Sequence, residues 1–188
     1  MENQPVSPVP TAMRWGAILG VVGIATSLIN YMVGGFNPEN SESMFAKLIQ
    51  YGMYALIIFV LVMALQQHRD KELGGYMKYG RGLGLGTLIG VFYGIISALT
   101  AFIIFQFLMP ADFVDKAMSI ARDKMLERNS EMSEDQIEMS LSMARKFMSP
   151  PMMSLIVFVG SVFICFLFSL LISAFVKKND PINFSYFF

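Results

Sequence analysis

The chain has 188 residues, 55% of them apolar and 15% charged, with Lys+Arg and Asp+Glu equal at 14 each. Soluble domains carry about 25% charged residues; here the deficit lies in four long stretches, which excludes an ordinary soluble globule, and the charge balance excludes a basic nucleic-acid binder. One Cys and one His exclude a disulfide framework and a multi-His or Cys/His zinc site.

The first apolar run covers residues 15–33. A bilayer core about 30 Å thick needs roughly 20 apolar residues in a helix, whose backbone then satisfies its own hydrogen bonds. Residues 1–12 hold no Lys or Arg and no small-x-small site follows, so an uncleaved span is expected rather than a signal peptide. Gly16, Gly20, Gly23, Ser27 and Asn30 recur at three- and four-residue steps. Gly34-Gly35, Asn37-Pro38, Glu39 and Glu42 then predict a turn and loop.

The second span is placed at about 45–65, with Lys47 snorkelling from its start. The following connection, 66–81, carries Arg69, Lys71, Lys78 and Arg81. His68 reads as an interfacial residue rather than a base.

The third span is placed at 83–108. Gly82, Gly86, Gly90 and Gly94 repeat every four residues, in the manner of a glycine zipper, and Ala98 continues the register. The Gly-rich start is no phosphate loop: no strand precedes it and no Gly-Lys-Ser/Thr closes it.

The long connection 109–152 predicts two amphipathic helices in a hairpin at 110–151. Pro110 opens the first, with Phe113, Ala117, Ile120 and Ala121 in step. Asn129 and Ser130 form the break. Ser133 with Gln136 has capping-box form, and Ile137, Leu141, Ala144 and Met148 share a face up to Pro150-Pro151. The acids of this segment read as a solvated face. Met118, Met125, Met132 and Met139 recur every seven residues. Thioethers select Cu(I), but seven-residue steps separate them by about 10 Å. Met is therefore read as adaptable apolar filler.

The fourth span, 153–176, contains no charge and carries Ser161, Cys165, Ser169 and Ser173 in a four-step stripe. Cys165 is read as a small packing residue. Aromatic residues of the tail, Phe184, Tyr186, Phe187 and Phe188, are expected at the interface.

The three small-residue stripes are the most specific information in the chain. Lipid offers helices no hydrophobic drive to associate, so glycine and serine faces allow the close contact that holds them. The competing reading is a pore or substrate groove. No span centre holds a charged side chain, which argues against a proton-coupled carrier; Asn30, Thr87, Tyr93, Thr100 and Gln106 are the polar residues there.

Four spans put both termini on one side. Lys and Arg number seven on each side, so the total does not orient the chain. Arg14 before the first span and His68-Arg69-Asp70-Lys71 after the second favour cytoplasmic termini.

Arg69-Asp70-Lys71-Glu72-Leu73-Gly74-Gly75-Tyr76, followed by Tyr79-Gly80-Arg81, by Pro110 with Asp112-Phe113, and by the closing run from Ser169 to Lys178, forms a pattern. Over roughly residues 14–178 the chain resembles a family of bacterial four-span inner-membrane proteins catalogued as a domain of unknown function (domain of unknown function 4199). The resemblance implies a bacterial inner membrane and four helices. It supplies no activity.

The expected fold is all-α: a four-helix transmembrane bundle with an extramembrane amphipathic helical hairpin between spans three and four, in one integral membrane domain. The expected function is non-enzymatic, by helix packing or protein interaction, against an oligomeric channel or facilitator. No catalytic, cofactor-binding or metal-binding residue is expected. The expected partners are the lipid bilayer and a second copy or another membrane protein, without nucleic acid.

Overall fold

The computed structural model describes residues 6–34, 36, 44–128 and 133–178. Within them the regular elements are helical: α1 (Val9–Met32), α2 (Met44–Gln67), α3 (Tyr79–Ile103), α4 (Phe113–Arg128), α5 (Glu134–Phe147) and α6 (Pro150–Val176). A π-helical turn, His68–Glu72, prolongs α2, and another, Ile104–Leu108, prolongs α3. Gly35, Asn37-Pro38, Glu39, Glu42, Asn129, Ser130, Met132 and the aromatic tail lie outside the described residues.

Val9–Met32, Met44–Glu72, Tyr79–Leu108 and Pro150–Val176 are each long and apolar enough to cross a membrane. Their length and composition make the chain a multi-pass membrane protein. Large apolar side chains point outward along them: Phe175 is 87% exposed and Leu171 66%. A water-soluble protein rarely carries so much apolar surface in contiguous patches, whereas lipid solvates it.

Each helix outruns its apolar stretch, because the stretch limits what lies in lipid and not what hydrogen-bonds as a helix. α1 begins at Val9, whose N–H donates to Ser7 Oγ at 3.3 Å. α3 begins at Tyr79, so most of the connection expected at 66–81 is helical. Pro150 and Pro151, expected to close the preceding helix, open α6. Proline fits a first helical turn, where its missing N–H costs nothing.

The described chain divides into two compact units. Unit 1 takes residues from 1–20, 54–94 and 160–188; unit 2 takes residues from 21–53 and 95–159. Unit 1 has an apolar core in which Leu19, Leu61, Leu65, Leu85 and Ile89 are fully buried. Tyr54 meets Phe168 edge-on in the same unit.

Unit 2 is organised by aromatic edges, Phe36 on Phe105 and Phe105 on Phe113. The Tyr31 hydroxyl donates to the Leu108 carbonyl at 3.0 Å. Ala117 and Met118 of α4 and Ile137 of α5 are buried. Arg122 of α4 pairs with Glu134 of α5 at 3.4 Å, and Asp115 of α4 pairs with Arg145. Ser133 caps α5 reciprocally: its Oγ accepts from the Gln136 N–H, and Gln136 Oε1 accepts from the Ser133 N–H.

Candidate functional site

The small residues of α3 and α6 in unit 1 oppose one another in register. A Cβ built on Gly82 would stand 2.9 Å from Ser173 Oγ. On Gly86 it would overlap the Ser169 hydroxyl and stand 2.7 Å from Ser169 Cβ. On Gly90 it would stand 2.6 Å from Cys165 Cβ. Four-residue steps keep one face of a helix in line. Here the two four-residue series run antiparallel, so Gly82, Gly86 and Gly90 each receive one small side chain.

Gly16 of α1 makes the same kind of approach to a different face of α3. A Cβ there would stand 2.5 Å from Phe92 Cβ and 3.0 Å from the Ile89 carbonyl oxygen. Gly20 and Gly94 are buried, while Gly23 and Ser161 are half-buried. Cys165 is a buried free thiol. The hydroxyls of Ser169 and Ser173 find no hydrogen-bond partner among the described residues. Their place in the series therefore rests on size.

Where α2 ends, unit 1 holds a polar cluster. His68 is fully buried, in the π-helical turn that prolongs α2 rather than in a loop. Its Nδ1 lies 2.7 Å from Glu72 Oε2, and its Nε2 lies 3.5 Å from Arg81 Nε. A guanidinium N–H only donates, so Nε2 accepts. The ring proton then sits on Nδ1 and is donated to the carboxylate. Thr11 of α1 donates its hydroxyl to both Glu72 oxygens, at 2.7 and 2.8 Å. Arg81 also donates to the Val6 carbonyl. One carboxylate thereby ties α1 to the end of α2, and one imidazole ties α2 to α3.

Sequence reasoning missed this cluster. It ended the second helix where the apolar run ended, at residue 65, and so left His68 in a loop. The four-residue spacing of His68 and Glu72 is a helical signal, visible once the helix is continued as a π turn.

Beyond that turn the chain reverses. Gly74 and Gly75 have φ of 65° and 93°, a left-handed conformation that side chains with a Cβ avoid. The Gly75 N–H returns to the Arg69 carbonyl at 2.8 Å. Met77 and Lys178 then exchange both backbone hydrogen bonds, at 2.9 and 3.0 Å. Arg69 grips Asp70 through Nε and Nη2 at 2.6 and 3.0 Å, and its Nη1 donates to the Val176 carbonyl at 3.0 Å.

In unit 2 the methionines do not form one stripe. Met118 is buried, whereas Met139 and Met143 are 65% and 58% exposed. Among the described residues no group of three or more His, Cys, Asp or Glu is placed to hold a metal ion.

The family model described as "Protein of unknown function (DUF4199)" matches residues 14–178, and the chain belongs to that family. No curated protein and no solved structure matches it.

Proposed function

We propose that this family member is a non-enzymatic multi-pass protein of the bacterial inner membrane, acting through helix packing and protein interaction. The observation that carries the reading is the use made of its small residues. A pore or substrate groove needs free volume beside such faces. Gly82, Gly86 and Gly90 instead stand where not even a Cβ fits without displacing Ser173, Ser169 or Cys165. Glycine and serine in that relation bring helix backbones together.

The polar cluster supports the same reading. A general base needs a free lone pair within reach of substrate. Both nitrogens of His68 face groups of this chain, and both oxygens of Glu72 accept from Thr11.

We place the termini in the cytoplasm. The described residues of unit 1 carry seven bases and two acids, while those of unit 2 carry seven of each. The bases flanking α1 and α2 favour that side. α4 and α5 then form the extramembrane hairpin, with Met139, Met143 and Phe147 exposed at four-residue steps towards a membrane or protein surface.

The deciding experiment purifies the full chain in detergent and divides it between two assays. Stable co-purification of a second copy or another membrane protein, with no solute flux in liposomes, is the expected result. Protein-dependent flux in liposomes would replace this reading with that of a channel.

A further inference from the structure

The basic end of unit 1 contains a groove of about 680 Å³, lined by Tyr76, Met77, Lys78, Gly80, Arg81 and Lys178 among others. We propose that this groove binds the phosphate of an anionic phospholipid headgroup. The inference rests on the membrane reading above, because it needs the groove to lie at headgroup level, where α2 ends and α3 begins.

Among the described residues, three cations line the groove and no acid does. The two acids near it in the chain, among the described residues, are already engaged. Asp70 lies within electrostatic reach of Lys178 but is held through both oxygens by Arg69. Glu72 is held by His68 and Thr11. Among the described residues, the charges of Lys78, Arg81 and Lys178 therefore have no carboxylate in the groove.

The geometry is fixed rather than incidental. The paired backbone bonds between Met77 and Lys178 bring the 76–78 segment against the end of α6. Lys178 Nζ lies 5.5 Å from the centre of the Tyr76 ring, a cation–π distance that steadies the ammonium group. Arg81 is anchored by Nε on His68 and by Nη2 on Val6.

Gly80 leaves the wall open. A Cβ there would meet nothing within 4 Å, so an anion has access to the first turn of α3. That 25-residue helix presents its positive dipole end there. Leu73 and Met77 supply an apolar wall, which suits the glycerol and upper acyl chain of a lipid better than a free hydrated anion. Both sources share phosphate chemistry, and the experiment separates them.

Full-length protein in detergent is titrated with phosphatidylglycerol, phosphatidylcholine or inorganic phosphate. Thermal unfolding and native mass spectrometry follow binding. Phosphatidylglycerol is expected to bind with defined stoichiometry and raise the unfolding midpoint, while the other two do not. K78Q and K178Q, singly and together, are expected to weaken phosphatidylglycerol binding, the pair by about tenfold or more. K177Q removes the same charge outside the groove and is expected to leave the affinity unchanged.

Equal binding of phosphatidylcholine overturns the proposal. So does an equal loss in K177Q, which reduces the effect to general surface charge. Competition by inorganic phosphate assigns the groove to a free anion and overturns the lipid source. Alkaline carbonate extraction tests the premise separately: release of the chain from membranes defeats the membrane reading, whereas retention without lipid selectivity defeats only this inference.

Discussion

Gly86 of α3 lies so close to Ser169 of α6 that a single added methyl group on the glycine would overlap the serine hydroxyl. The contact joins residues far apart in sequence at a point where neither side chain brings charge or a large apolar area. Its stabilisation comes from many short dispersion contacts between backbones that larger residues would hold apart.

Gly86→Ala is expected to destabilise the protein by about 1–3 kcal/mol through overpacking. Pairing it with Ser169→Gly should restore part of that loss, because the two positions share one space and their effects are not additive. Gly84→Ala is the control. A Cβ at Gly84 meets nothing within 4 Å, so that change should be neutral or slightly stabilising in the helix. Thermal unfolding in detergent reads all three variants. Equal midpoints for Gly86→Ala and the wild type would remove the close contact from the account.

Ser169→Ala should be neutral or mildly stabilising. It keeps the volume opposite Gly86 nearly unchanged and removes a buried hydroxyl that has no partner among the described residues. Removing a polar group whose hydrogen bond is unmade saves its desolvation cost. Ser169→Leu should fail badly at the same site. The contrast between the two separates size from polarity.

His68→Ala is expected to cost about 1–3 kcal/mol. It withdraws the donor that Glu72 receives at 2.7 Å and leaves a cavity where a fully buried ring stood. Thr11→Val should weaken the same cluster from the α1 side by removing the donor to both Glu72 oxygens. The double variant should lose less than the sum, since both act on one carboxylate.

Ser133→Ala should destabilise α5 by about 1 kcal/mol through loss of its half of the capping box. Amide hydrogen exchange in residues 134–140 of the full chain is the direct measurement. Protection unchanged along that turn would deny the cap its role.

Asp112 sits outside the membrane-spanning helices, and the hydrogen bond from Lys116 at 2.8 Å holds its carboxyl below the ordinary aspartate range. The folded value lies below the unfolded one. Its stabilising contribution is therefore present above the unfolded value and disappears as pH falls through the folded value. Carboxyl chemical shifts should place the Asp112 midpoint low in the wild type. In Lys116→Ala the midpoint should return upward.

Four helices were legible in the sequence because an apolar run of span length admits few other structures. The three stripes were legible as spacings. What opposed each glycine was not, because periodicity describes one helix and pairing is a property of two. Nothing in the neighbourhood of Gly86 points to Ser169. His68 was misplaced for a related reason. The apolar run ends before the helix does, and Arg81, which donates to His68, and Thr11, which donates to Glu72, come from other helices. The prolines at 150 and 151 carried a true signal of interruption, yet it marked the beginning of α6 as much as the end of α5.

The bridge between Met77 and Lys178 has a consequence for how the protein is made. A ribosome delivers Met77 about a hundred residues before Lys178. Through that interval the Gly82–Gly86–Gly90 face of α3 has no α6 to meet, Arg69 lacks the Val176 carbonyl, and the 76–78 segment lacks its backbone partner. The nascent chain thus spends its synthesis as three inserted helices with an unclosed seam. The arrival of the last helix locks all of these contacts in a single late step. A chain arrested before that step would carry the glycine face of α3 uncovered.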